Sequence, residues 1–167
     1  MPVRALGETL AAGPAAALAG SAAAWVLAEA ARAGDDGARA AQAVALCDRL
    51  THAAGDDVEA LTAARAHLTE TAGGDERRDF ALGRALERAA AVPLLVAEAC
   101  ADVATLALEL EPTVPADYSP DVRAAAMLAA GAAHAAAHLV EVNLGVGADD
   151  PRLARARVAV ATADLAL

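Results

Sequence analysis

Acidic and imidazole side chains are sparse among the alanines of this chain, and their placement decides what chemistry is open to it. Asp57 is the sharpest case. Cys47, Leu50, Ala54, Leu61, Ala64 and Leu68 recur at alternating steps of three and four, and position 57 is the member of that seam that is not apolar. If one helix carries the run, the Asp57 carboxylate points at the core, where a charge is costly. It is then either ion-paired or kept with a raised pKa for proton transfer. If the run breaks at Gly55-Asp56, with Asp56 capping and Glu59 completing a capping box, Asp57 is an ordinary first-turn acid. His134 and His138 are four apart and share a helix face that Glu141 continues, with Arg123 and Met127 on the same side. That is metal-ligand spacing, but no second His or Glu cluster matches it, and His52 and His67 stand apart. The stripe reads better as the border of a pocket or of a subunit contact, with acid–base work open to either imidazole. No metal is expected. Asp121 has a sufficient reason to exist as a first-turn acid, and Asn143 as a helix stop ahead of Gly145.

The elements that must position these residues are helices. Ser119-Pro120-Asp121 opens a stretch, Tyr118–Leu144, whose residues from Ala124 to Val140 include only two polar side chains, His134 and His138. Ser119 is suited to cap it and Pro120 to its first turn. With almost no solvated face, this helix is expected to be largely buried, walled by the others. Before it, the sequence predicts a short helix over Val3–Ala12 stopped by Gly13-Pro14, then Ala15–Ala33, a loop at Gly34–Gly37, one long helix over Ala38–Leu68, and a turn at Gly73-Gly74-Asp75. A helix from Glu76 to Glu111 follows. Pro93 lies on its seam and leaves the Ala89 carbonyl without its usual partner. Pro112 and Pro115 mark a loop, and after Gly145-Val146-Gly147 a last helix starts at Pro151. Trp25 is expected in the core, and Gly20, Ala24 and Gly131 where helix axes approach closely.

Composition agrees with a single all-α domain over residues 1–167, an antiparallel bundle of long helices. Alanine makes up about a third of the chain, and there is no lysine beside 13 arginines. A formal charge of -10 and the lack of a basic, aromatic-interleaved patch argue against nucleic acid. The longest uncharged runs, Pro14–Ala28 and Ala124–Val140, fall short of the ~20 residues of a membrane span, so no membrane partner is expected. Glu8 interrupts any signal-peptide pattern, and Cys47 and Cys100 read as isolated reduced thiols, which together suggest a cytoplasmic protein. Phosphate loops, nucleotide fingerprints, zinc motifs and serine-nucleophile elbows are absent.

Several segments, in order and at matching spacing, carry a resemblance: "LGETLAAG" and "AALAG" near the start, "DVEAL" at Asp57–Leu61, "ALERAAAVPLLVAEA" around Pro93, "YSPDVRAAAMLAA", and "VEVNLGV". The chain resembles the cyclodeaminase/cyclohydrolase family, the folate-handling helical domain of formiminotransferase-cyclodeaminase. The resemblance implies that fold, a homodimer, and a tetrahydrofolate derivative as substrate, with no separate cofactor. It also implies chemistry on the one-carbon bridge between two folate nitrogens, as a cyclodeaminase or a methenyltetrahydrofolate cyclohydrolase. Asp57 and Asp121 are the catalytic candidates it suggests. Gly13, Arg123, Asn143, His134 and His138 are the candidates for holding substrate. The family's glycine-rich segment between the first two helices is reduced here to Gly13-Pro14. An alternative is therefore a non-catalytic dimeric bundle that binds or scaffolds.

Overall fold

The computed structural model describes residues 11–69, 76–144 and 150–167, with the side chains of 61, 63–69 and 76–88 left aside. Five helices are present among the described residues: α1 (Ala12–Ala33), α2 (Gly37–Thr69), α3 (Glu76–Leu110), α4 (Ser119–Leu144) and α5 (Pro151–Asp164). No strand occurs among them. The segment Val3–Leu10, the Gly73-Gly74-Asp75 turn and Gly145–Gly147 lie outside the described residues.

Contacts between named residues fix the directions. Gly13 lies against Asp57 and Gly20 against Leu50, so α1 and α2 run antiparallel. Gly20 also lies against Cys100, and Gly34 against Thr113 just past α3, so α3 runs parallel to α1. Asn143 reaches Ala89 while Arg123 pairs with Glu111, which sets α4 antiparallel to α3. The result is a four-helix square in which each of α1 to α4 touches its sequence neighbours and α4 closes back on α1. Helix α5 lies along the α3–α4 edge, fastened by Arg155 on Glu98 and by His134 on Asp164.

Local chemistry explains the ends. Asp36 accepts the Arg39 N–H at 3.0 Å and so caps α2, while its neighbour Asp35 takes the left-handed conformation at φ 58°. Asp150 accepts the Arg152 N–H at 2.8 Å with Pro151 next in line, which starts α5. The chain departs from expectation at two other starts. Gly13-Pro14 does not stop a helix but lies inside the first turn of α1, where proline's missing N–H has no bond to lose. Ser119 is already helical, led in by a 3-10 turn over Ala116–Tyr118, so it does not cap α4. Helix α2 passes through Gly55-Asp56 unbroken, and α3 passes through Pro93.

The core is built mostly from alanine, with Leu27, Leu50, Leu106, Leu110, Val103, Val122 and Val140 as its larger members. Gly20 is a true point of close approach, since a methyl there would lie 2.5 Å from Cys100 Sγ. Ser21 Oγ meets Thr51 Oγ1 at 2.8 Å and donates to the Cys47 carbonyl, tying α1 to α2. Both cysteines are free thiols, and burial pushes that of Cys100 up to about 12.

Three expectations about burial are overturned. Trp25 is 51% exposed, and Gly131 has nothing within 4 Å of where a side chain would start. Helix α4 is not enclosed: it buries Val122, Ala126, Ala129, Ala133 and Val140 but presents Met127, Leu128 and Val142 outward. An alanine-rich helix has no polar face to mark its outside, so apolarity alone does not say which side is covered. Run length also understates how apolar three of these helices are. Ala12–Ala33, Ala89–Leu110 and Ala116–Leu144 are long and apolar enough to cross a bilayer, because a helix window tolerates a charge or two that ends an uncharged run. In the bundle, half or more of each such window is buried against other helices.

Candidate functional site

Helix α2 carries Asp57 inward, as the interrupted seam requires. The residue is 8% exposed, and its carboxylate has no hydrogen bond or ion pair to a described residue. Burial pushes its carboxyl above the usual aspartate range. What makes room for it is Gly13: a methyl group at that position would lie 2.2 Å from Asp57 Oδ2 and 2.8 Å from Oδ1. The first turn of α1 has no side-chain cap, so the carboxylate occupies the positive end of that helix. An acid that is buried beside uncapped backbone N–H groups, with no ion pair among the described residues, can take or give a proton, and can stabilise a cation brought next to it.

Asn143 belongs to this end of the bundle, one helix away. Its Nδ2 donates to the Ala89 carbonyl at 2.6 Å. That is the carbonyl Pro93 leaves without a helical partner, so Asn143 repairs the α3 backbone from α4. Gly20 lies over Cys100, and seven residues earlier on both parallel helices stand Gly13 and Pro93. The repaired turn is therefore level with the Asp57–Gly13 contact. Asparagine in this place has a structural task, which sequence spacing could not assign.

The other expected site residues lie elsewhere. Asp121 is exposed at the opposite end, in a groove of about 330 Å³ with Trp25, Val26, Glu29, Tyr118 and Leu128. From Gly13 to Trp25 in that groove is twelve residues of α1, roughly 18 Å at 1.5 Å per residue. Within one protomer, then, Asp57 and Asp121 cannot act on the same atom. Arg123 is exposed and pairs with Glu111, also at the far end. His134 and His138 line a second groove, of about 350 Å³, between α4 and α5 with Glu141, Arg157 and Asp164. His134 Nε2 is 2.8 Å from Asp164 Oδ1, an exposed pair. No group of three or more metal-ligating side chains occurs among the described residues. Trp25 and Tyr118 are the groove residues that sequence reasoning missed. Each is the single example of its type in the chain, and both are exposed, a signal that is visible only once burial is known.

Comparison with known proteins agrees with this architecture. The fold is similar to that of a formiminotetrahydrofolate cyclodeaminase from Thermotoga maritima, with a TM-score of 0.75 and 19% sequence identity over 95% of this chain and 82% of that one. A search of the curated proteins finds no match. The model of the formiminotransferase-cyclodeaminase family matches residues 2–162, nearly the whole chain. A helical bundle that holds a buried acid at the head of its first described helix is thus placed by descent, and the chain belongs to the formiminotransferase-cyclodeaminase family.

Proposed function

We propose that the protein is a folate cyclodeaminase in which Asp57 is the acid–base residue. Membership of the family supports folate one-carbon metabolism as the setting. The observation that carries the finer reading is the Asp57 carboxyl, buried against Gly13 with no ion pair among the described residues. A carboxyl held away from water costs stability, and such a cost is kept where the group is used.

The chemistry fits one carboxyl group. The substrate carries a formimino group on N5, with N10 as the internal nucleophile. N10 attacks the amidinium carbon, forming the new C–N bond, and its proton passes to the Asp57 carboxylate. The same proton returns to the departing nitrogen, the C–N bond to it breaks, and ammonia leaves a cationic 5,10-methenyl bridge. Charge is conserved, and the acid ends as it began. The carboxylate also favours positive charge at the reacting carbon. A raised pKa puts the group nearer to the pH at which both transfers are efficient. Water in place of the amine gives cyclohydrolase chemistry at the same carbon, an activity to be measured alongside.

A second reading, a non-catalytic bundle that binds or scaffolds, has one observation in its favour. Gly13-Pro14 is wound into α1 rather than forming a glycine-rich loop. The test is to add purified protein to 5-formiminotetrahydrofolate and follow the rise in methenyl absorbance, then to 5,10-methenyltetrahydrofolate and follow its loss. Turnover that falls about 10²–10⁴-fold in Asp57→Asn is expected. Wild-type protein with neither turnover nor a thermal shift with folates would refute the enzyme.

A further inference from the structure

We infer that the groove between α4 and α5 binds a free α-amino acid with an aliphatic side chain, its carboxylate on Arg157 and its ammonium on Glu141. The chain carries a formal charge of -10, and its arginines are spent against carboxylates. Arg32, Arg39, Arg49, Arg123, Arg152 and Arg155 each hold one in an ion pair. Among the arginines whose side chains are described, Arg157 is the exception, with no ion pair to a described residue. It lines the groove of about 350 Å³ beside α4, and so does Glu141, which likewise has no ion pair to a described residue.

Helix register sets these two charges opposite each other. His134 of α4 meets Asp164 of α5 at 2.8 Å. With those two level, a parallel α5 would begin about 35 Å from Leu144, beyond the ~25 Å that residues 145–150 can span, so α5 runs antiparallel to α4. Seven residues on from His134 is Glu141, and seven back from Asp164 is Arg157, both about 10 Å further along the same groove. Opposite charges in such register ordinarily close into an ion pair; here they stay unjoined with the groove between them. A plain anion on Arg157 would face the Glu141 carboxylate, and a plain cation on Glu141 would face the guanidinium. A ligand that carries both charges on one carbon satisfies the two together. The guanidinium fork matches a carboxylate, and the ammonium brings three donors to an acceptor-only side chain. Towards the His134–Asp164 pair, whose charges are already joined, Ala137, Val160 and Ala161 supply an apolar wall for an aliphatic side chain. The glutamate of a folate does not meet this requirement, because its nitrogen is acylated and brings no ammonium. Helix α2, which carries Asp57, is diagonal to α4 in the square, so the groove stands apart from the acid assigned to folate chemistry.

Isothermal titration calorimetry of the full chain with L-leucine, L-valine and L-alanine tests this. A Kd of about 1 mM or tighter is expected for L-leucine, with Tm raised by about 3–6 °C at about ten times Kd. N-acetyl-L-leucine lacks the ammonium and L-leucinamide lacks the carboxylate, so each should bind at least about 10-fold more weakly. Arg157→Gln and Glu141→Gln should weaken L-leucine by the same factor while melting like wild type, since neither side chain has an ion pair to a described residue to lose. L-glutamate should bind less well than L-leucine, its second carboxylate being brought towards Asp164. Absence of both heat and Tm shift with all three aliphatic amino acids at about 10 mM overturns the inference. So does N-acetyl-L-leucine binding as tightly as L-leucine, which marks a plain anion site, or L-leucine binding that survives Arg157→Gln. Tighter binding of L-glutamate overturns the aliphatic assignment. Finally, 5-formyltetrahydrofolate should leave L-leucine binding unchanged; displacement would give the groove to folate and overturn the inference as well.

Discussion

The Asn143–Ala89 bond yields the most exacting prediction, because its cause can be removed independently of the bond. Asn143→Leu keeps the side-chain shape and deletes the donor, leaving the Ala89 carbonyl unsatisfied in a half-buried place. Such a loss costs about 1–3 kcal/mol. For a chain of this size that is roughly 2–4 °C of Tm per kcal/mol, so a fall of about 2–12 °C is expected. Pro93→Ala restores the N–H that Ala89 lacks and makes Asn143 redundant as a donor. In that background, Asn143→Leu should cost well under about 1 kcal/mol, so the two sites couple by about 1–2 kcal/mol. The assay is urea unfolding of all four proteins, followed by far-ultraviolet circular dichroism at one fixed protein concentration, since association shifts apparent stability. Additive effects, with Asn143→Leu equally harmful beside alanine at 93, would refute the reasoning. Asn143 would then matter for some other reason, such as a direct contact with substrate.

Asp57→Asn should show a pH-dependent stability difference. The folded-state pKa of Asp57 is raised, so the folded protein holds its proton after the unfolded chain has lost it. Wild-type stability then falls as pH rises from ordinary aspartate values through the raised pKa, and Asp57→Asn should lack that fall. Thermal melts of both proteins from pH 4 to 8 will show it, and parallel curves would refute it. Gly20→Ala places a methyl 2.5 Å from Cys100 Sγ and should cost about 1–3 kcal/mol, recovered in good part by adding Cys100→Ala; urea midpoints measure both. The Cys100 thiol, fully buried with its pKa pushed up to about 12, should resist a thiol reagent at pH 8 until the chain is unfolded. Stoichiometric modification of Cys100 in the native state, read by peptide mass, would show that α1 and α3 separate readily.

How much of this was written in the sequence follows the range of the interactions concerned. The helix starts at Gly37 and Pro151 were legible because Asp36 and Asp150 act on residues two or three positions away. Asp57 was legible because it interrupts an otherwise apolar seam, a contrast that survives in any tertiary setting. The unsatisfied Ala89 carbonyl was also legible, since Pro93 announces it, but its partner comes from another helix 54 residues later. Gly13-Pro14 misled because the same pair that breaks the interior of a helix is harmless in its first turn, and only the preceding backbone decides which applies. Trp25, Gly131 and the outer side of α4 misled for a different reason. Side-chain periodicity reveals faces by contrast, and a helix that is alanine both inside and out supplies none. The separation of Asp57 from Asp121 is a matter of bundle length, and no motif records it.

The alanine core has a consequence for how this fold tolerates change. A buried leucine contributes several carbons, so a conventional core fears subtraction: truncation leaves a cavity, and the cost scales with the volume lost. Here most buried positions have a single methyl to give up, worth on the order of 0.8 kcal/mol of burial, plus glycine's backbone penalty in a helix of about 1 kcal/mol. Addition is another matter, because helices packed through methyl groups leave no slack for a longer side chain. The fold therefore has an inverted mutational profile. It resists erosion at almost any one site and is vulnerable to growth at nearly all of them, so the drift open to its interior runs between alanine, glycine, serine and cysteine.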